Sequence, residues 1–186
     1  MSFVPSWFST QSSFRPVYSP PMTAQLIDQL AAAPKMLANL VVEASDDALD
    51  LAPRDGWAAR TILAHLRDCE FLEMRLAVER MLAEEVPSLE FIDSAAWEPV
   101  RNRTRDRKEW LLGDFALQRQ ASVGILRSLR PEDWEREGSL RGSGTFSLRT
   151  FVEGWVKHDA QHTRQLEVAL GETLGEVLAR RARMVE

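Results

Sequence analysis

A chain of 186 residues is the length of one domain with an appendage, and two full domains are not expected from it. Its 45% hydrophobic and 27% charged residues exclude wholesale disorder. With 23 Lys and Arg against 28 Asp and Glu, the net charge of -5 gives no overall electrostatic case for a nucleic-acid partner. The single cysteine, Cys69, cannot close an internal disulfide, which favours a reducing, cytoplasmic setting. No uninterrupted apolar run reaches the roughly 18 residues that a membrane span needs.

Residues 1–22 read as an N-terminal extension, with Pro5, Pro16, Pro20 and Pro21 breaking any helix, and they are not expected to be a signal peptide. Their rings, Phe3, Trp7, Phe8, Phe14 and Tyr18, are expected to anchor them on the domain or on a neighbouring subunit, unless Met22 is the start. From Thr23, as N-cap, a helical period runs through Leu26, Leu30, Leu37, Leu40, Val41 and Ala44, with a kink or break expected at Pro34. Residues 45–56 read as a loop. A second helix is expected over residues 58–83, its inner stripe passing through Ile62, Leu66, Cys69, Leu72 or Glu73, and Leu76.

Residues 86–105 lose the period and form a long crossover between helices two and three. Helix three starts near Asp106, with Trp110, Leu111, Phe115, Leu117, Val123, Leu126 and Leu129 as core candidates. Gly138 to Gly144 reads as a turn region, and helix four begins near Ser147 and carries Phe151, Trp155, His158, His162 and Leu166 to a C-cap at Gly171. A short, Arg-rich extra helix follows over residues 174–184, and no strand is expected. Four principal helices with one long connection predict an all-α fold, a four-helix bundle occupying residues 23–186.

The chain has three histidines, and each lies on a stripe able to face inward. His158 and His162 are one helical turn apart on one face, the spacing with which two imidazoles reach a single ion. His65 shares a face with Ile62, Leu66 and Cys69 on another helix, and bundle cores are where facing helices build metal sites. Three imidazoles leave an open coordination position, as catalytic rather than structural zinc sites do. Cys69, one turn after His65, is a weaker fourth candidate. The alternative is a set of core or surface histidines satisfied by hydrogen bonds.

Asp55-Gly56-Trp57 leading into Thr61-Ile62-Leu63-Ala64-His65-Leu66-Arg67-Asp68, with His158-Asp159-Ala160-Gln161-His162-Thr163-Arg164-Gln165-Leu166 further on, resembles the DinB-like superfamily. The similarity runs from about Thr23 to Gly171 and takes in Pro131 to Trp134 and Thr145 to Leu148. The resemblance implies a bundle of up-down-down-up topology, a homodimer, and a divalent metal on His65, His158 and His162. Zinc or nickel is the expected ion, with iron or manganese as alternatives. Relatives include bacillithiol and mycothiol S-transferases and a mycothiol-dependent maleylpyruvate isomerase, so a thiol-dependent S-transferase acting on small electrophiles is the leading expectation. A metal-dependent hydrolase and a non-enzymatic, stress-associated metal-binding protein are the alternatives. Where members of the family often carry a capping box after the tryptophan, this chain has Ala58 and Thr61, so Asp55 is expected to cap instead.

Asp68, one turn after His65, and Asp159, beside His158, are the carboxylates placed to orient a ligand or move a proton, or else are solvated surface acids. His158-Asp159-x-x-His162 echoes the zinc-protease motif without its glutamate or its context. Arg101, Arg103, Arg105, Arg107 and Lys108 form the strongest basic run, read either as a solvated helix start or as charge for an anionic substrate. Without interleaved aromatics the run does not suit nucleic acid. Gly142-Ser143-Gly144 lacks the strand and lysine of a phosphate loop. Trp57 and Trp155 are expected to wall the cavity or to pack the core.

Overall fold

The computed structural model describes residues 20–141 and 144–183. The expectations placed on residues 1–19 lie outside them. The chain folds into helices α1 (Pro20–Val41), α2 (Asp46–Asp50), α3 (Ala59–Cys69), α4 (Leu76–Ala83), α5 (Ser94–Val100), α6 (Lys108–Arg127) and α7 (Leu148–Arg183). Three strands accompany them, β1 (Ser88–Leu89), β2 (Glu137–Leu140) and β3 (Gly144–Ser147). A π-helical segment, Glu70–Arg75, joins α3 to α4, so the two form one long bundle helix with a widened turn in its middle.

The bundle consists of α1, the α3–α4 helix, α6 and α7. Both α1 and α3 pack against α6 and against α7. The first and second bundle helices therefore stand diagonally opposed, as do the third and fourth. Ile27, Leu30, Ala33, Leu37 and Val41, spaced by threes and fours, bury the inner stripe of α1. One end of the core gathers Leu30, Met74, Met81, Leu126, Phe151 and Trp155, and the other gathers Leu37, Ile62, Leu66, Phe115 and Leu166. The histidines sit beside this second cluster.

Several local expectations are corrected. α1 starts at Pro20 rather than at a Thr23 cap, and it runs unbroken through Pro34. The expected loop after α1 contains α2, capped by the Ser45 hydroxyl and pinned by Arg60, which pairs with Asp46 at 2.7 Å and Asp50 at 2.5 Å. Ala58, not Asp55, occupies the N-cap of α3, and no side chain caps it. On α6, Trp110 and Leu117 are 47% and 69% exposed, because the inward stripe is Leu111, Phe115, Val123 and Leu126. The terminal residues are helical, but as a continuation of α7 through Gly171 rather than as a separate helix.

The strands are the feature absent from the sequence reading. β1 pairs parallel with β2, Ser88 opposite Ser139 and Leu89 opposite Leu140, and β2 pairs antiparallel with β3. The long crossover thus returns to the bundle as a sheet edge. Gly138 fits closely there, since a Cβ would stand 3.2 Å from the side chains of both Leu89 and Met81 and they would have to shift to admit it.

Candidate metal centre

α3 delivers His65 and α7 delivers His158 and His162, and all three imidazoles are buried. The ring centroid of His162 lies 4.6 Å from that of His65 and 4.5 Å from that of His158. His65 and His158 bring their Nε2 atoms to 3.4 Å. The structure therefore brings together the three histidines singled out in the sequence. Cys69 joins them, its Sγ at 3.4 and 3.5 Å from the two ring nitrogens of His65. Ligand atoms of His65, Cys69 and His158 all lie within 4.8 Å of one another.

Hydrogen bonds orient two of the rings. His158 turns Nδ1 to Asp159 Oδ1 at 3.3 Å, and His162 turns Nδ1 to Gln165 Oε1 at 2.7 Å. An Nδ1–H donated outward leaves the Nε2 lone pair facing the cluster, which is the tautomer a metal ligand needs. Burial, reinforced by the neighbouring imidazoles, pushes His65 down to about 2 and His162 to about 3, so both rings are neutral at physiological pH. Three converging imidazoles, two of them held neutral, suit a borderline divalent ion. Burial pushes the Cys69 thiol well up, and Glu73 adds to the effect, so this sulfur is a protonated thiol rather than a thiolate.

Behind the rings lies a buried polar network. Arg119 on α6 donates to Asp159 Oδ2 at 2.6 Å, to Glu70 Oε2 at 2.9 Å and to the Leu30 carbonyl at 3.0 Å. Burial alone would raise the Asp159 carboxyl, but Arg119 and His158 hold it below its ordinary value. Asp68 has a different task. It accepts from Trp97 Nε1 at 3.1 Å and from Arg67 at 2.7 Å, and Trp97 in turn sets its ring 5.3 Å from that of His65.

Trp57 stacks parallel to His162 and meets His65 edge-on, and it walls a cavity of about 580 Å³ lined by the three histidines, Glu73, Ile62, Ile92 and Val168. Trp155 does not join that wall; it is fully buried in the core against Phe151 and Arg119. Among the described residues lining the cavity, neither Asp68 nor Asp159 is present. Glu73 is: the stripe offers Leu72 or Glu73 at this place without giving either a role, and the structure buries Glu73 while leaving Leu72 and Leu76 exposed. Its carboxylate accepts the Ile92 N–H, hydrogen-bonds Cys69, and is raised by burial. Regular α-helical spacing would drift Glu73 away from the His65–Cys69 stripe, and the wider π turn brings it back.

The basic run is mostly consumed by the fold. Arg101 pairs with Asp106 in the interior, Arg103 with Glu98 and Arg105 with Asp114. Arg107 covers the Trp110 ring, and Lys108 donates to the carbonyls of Val41, Val42 and Ala44 at the end of α1. A second, polar cavity beside this run is lined by five basic and five acidic side chains, so it offers no net charge for an anion. No helix among the described residues is long and apolar enough to cross a membrane.

A buried histidine cluster opening on a cavity, inside a helical bundle with diagonal consecutive helices, is a candidate metal site. The sequence profile of the DinB superfamily matches residues 29–166, and the chain belongs to that superfamily. It is 26% identical over 140 residues, 73% of this chain and 78% of the other, to a "putative metal-dependent hydrolase" of Oceanobacillus iheyensis. Its fold matches that of YfiT from Bacillus subtilis, "a probable metal-dependent hydrolase with an unusual four-helix bundle topology", with a TM-score of 0.77. That match covers 92% of this chain and 99% of YfiT at 20% identity.

Proposed function

We propose that this protein is a metal-dependent enzyme that joins a low-molecular-weight thiol to a small electrophile, using His65, His158 and His162 to hold zinc or nickel. The observation that carries the reading is the cavity of about 580 Å³ opening onto all three imidazoles, since a structural or sensing site needs no such space. A divalent ion with an open position lowers the pKa of a thiol or water it takes up, so that a nucleophile exists at neutral pH.

The chain supplies the surroundings. Trp57, Ile62 and Ile92 exclude water and receive the apolar part of an electrophile. Glu73, raised by burial, holds a proton more readily than an exposed carboxylate and is the group assigned to accept the one a nucleophile gives up. Asp159 and Gln165 act on the rings of His158 and His162, fixing which nitrogen faces inward.

Hydrolysis is the second reading, favoured by what the names of the Oceanobacillus and Bacillus proteins say of them and by the same carboxylate at Glu73, which suits water as nucleophile equally well. Conjugation of monochlorobimane or a chlorinated nitrobenzene with a panel of thiols separates the two. Zinc-loaded protein is expected to exceed the His158→Ala variant with at least one thiol. Equal rates in both proteins, together with metal-dependent cleavage of nitrophenyl esters, would assign hydrolysis instead.

A further inference from the structure

We infer that Arg164, at the mouth of the metal cavity, binds the carboxylate of an acid-bearing small molecule, so that the natural ligand is a monoanion held at one end by this arginine while its other end reaches the histidines. The inference rests on the reading of the cavity as a substrate site and specifies what that site takes.

α7 lays out the path. His158, Gln161, His162, Gln165 and Val168 recur at steps of three and four and all line the cavity, the two histidines buried and Gln165 and Val168 exposed. The helix therefore leads from the closed end of the cavity to its mouth. Arg164 lines the same mouth and is exposed. At 1.5 Å rise per residue it lies about 9 Å beyond His158 and about 3 Å beyond His162 along the helix axis. Around the helix Arg164 falls beside Gln161 and Val168 and not beside His162, so a ligand joining the two ends spans more than the axial distance.

Charge singles this residue out. Arg60, Arg101, Arg103 and Arg105 are each paired with a carboxylate of the fold. Among the described residues Arg164 has no ion pair and no hydrogen-bond partner, although it carries five donors in a fork that matches a carboxylate. Asp55 and Glu73 also line the cavity, so Arg164 is its one cation beside two acids. A ligand carboxylate is therefore held by the bidentate fork of Arg164 and not by net positive charge, and an anion of higher charge meets more repulsion from the two acids.

The test uses zinc-loaded protein and hydroxamic acids, which seek an open metal position whichever reaction the enzyme performs. Compounds ending in a carboxylate, with two to five methylenes between the ends, are compared by calorimetry with methyl-ended compounds of equal length. At the best length the wild type is expected to favour the carboxylate about fivefold, and Arg164→Gln to abolish that preference while binding the methyl-ended series unchanged. Arg164→Lys should keep part of it. Equal affinity for both series in the wild type, or a preference that survives in Arg164→Gln, would overturn the inference and leave the metal site standing. Absence of binding by either series, or binding unchanged in His158→Ala, would overturn the site itself and the inference with it.

Discussion

Arg119 meets Asp159 as a buried pair, Nη1 to Oδ2 at 2.6 Å, and Asp159 uses its other oxygen on the Nδ1 of His158. The imidazole is thereby held from behind by a carboxylate that is itself fixed across the bundle from α6. Loss of such an outer partner commonly costs a ligand 10- to 100-fold in metal affinity. Asp159→Asn, which keeps the shape and removes the charge, is expected to weaken zinc binding by roughly that factor, measured by competition with a chromophoric chelator. Unchanged affinity would detach Asp159 from the centre.

Removing Arg119 has a different consequence, because Glu70 and Asp159 both lean on it. Burial lowers the guanidinium's affinity for its proton, and the two carboxylates more than restore it. Arg119→Met leaves both acids in the interior without a cation, and stability is expected to fall by about 3–5 kcal/mol in urea titration. A loss under about 1 kcal/mol would mean that the network is solvated.

A control for stability alone is Leu126→Ala, in the core cluster that holds Trp155 and Phe151. Truncating this buried side chain should cost about 2–5 kcal/mol while the metal stoichiometry of the folded protein stays unchanged.

The pH dependence of the metal-free protein follows from the depressed imidazoles. His65 at about 2 and His162 at about 3 bind protons more weakly in the folded state than the free side chain, whose ordinary value is 6.5. The unfolded chain therefore takes up more protons as pH falls. The contribution of these two rings is complete above about pH 6.5 and is lost progressively between there and about pH 2. Denaturation midpoints at pH 7.5 and pH 5 check this. Replacing His162 with Gln should flatten the difference, and an acid loss unaffected by that replacement would place its origin elsewhere.

The basic run offers a paired test. Asp106→Ala strands Arg101 in the interior and is expected to cost about 3–5 kcal/mol. Arg103→Ala, at a pair whose arginine is 58% exposed, should cost under about 1 kcal/mol. Equal effects would return the run to the solvated helix start that its composition suggests.

The histidine cluster is legible in the sequence because the chain spends only three histidines and puts two of them one turn apart. Apolar periodicity reveals the four long helices for the same reason: each buries one stripe along most of its length. Glu73 is half legible: the period offers Leu72 or Glu73 as inward, and the choice between them depends on a π turn that no period announces. The strands escape because they run only two to four residues, too short for alternation to show against loop composition. Trp110 and Leu117 mislead by being apolar on the outer face of α6, and the arginine run by having its neutralising acids in other segments.

Metal content of the protein purified without a histidine tag, measured with three single variants, tests the central claim most directly. The account predicts one divalent ion per chain in the wild type and in Cys69→Ser, and sharply reduced occupancy in His65→Ala and His162→Ala. Full occupancy in His162→Ala with loss in Cys69→Ser would contradict it, and would assign the ion to His65, Cys69 and His158 instead.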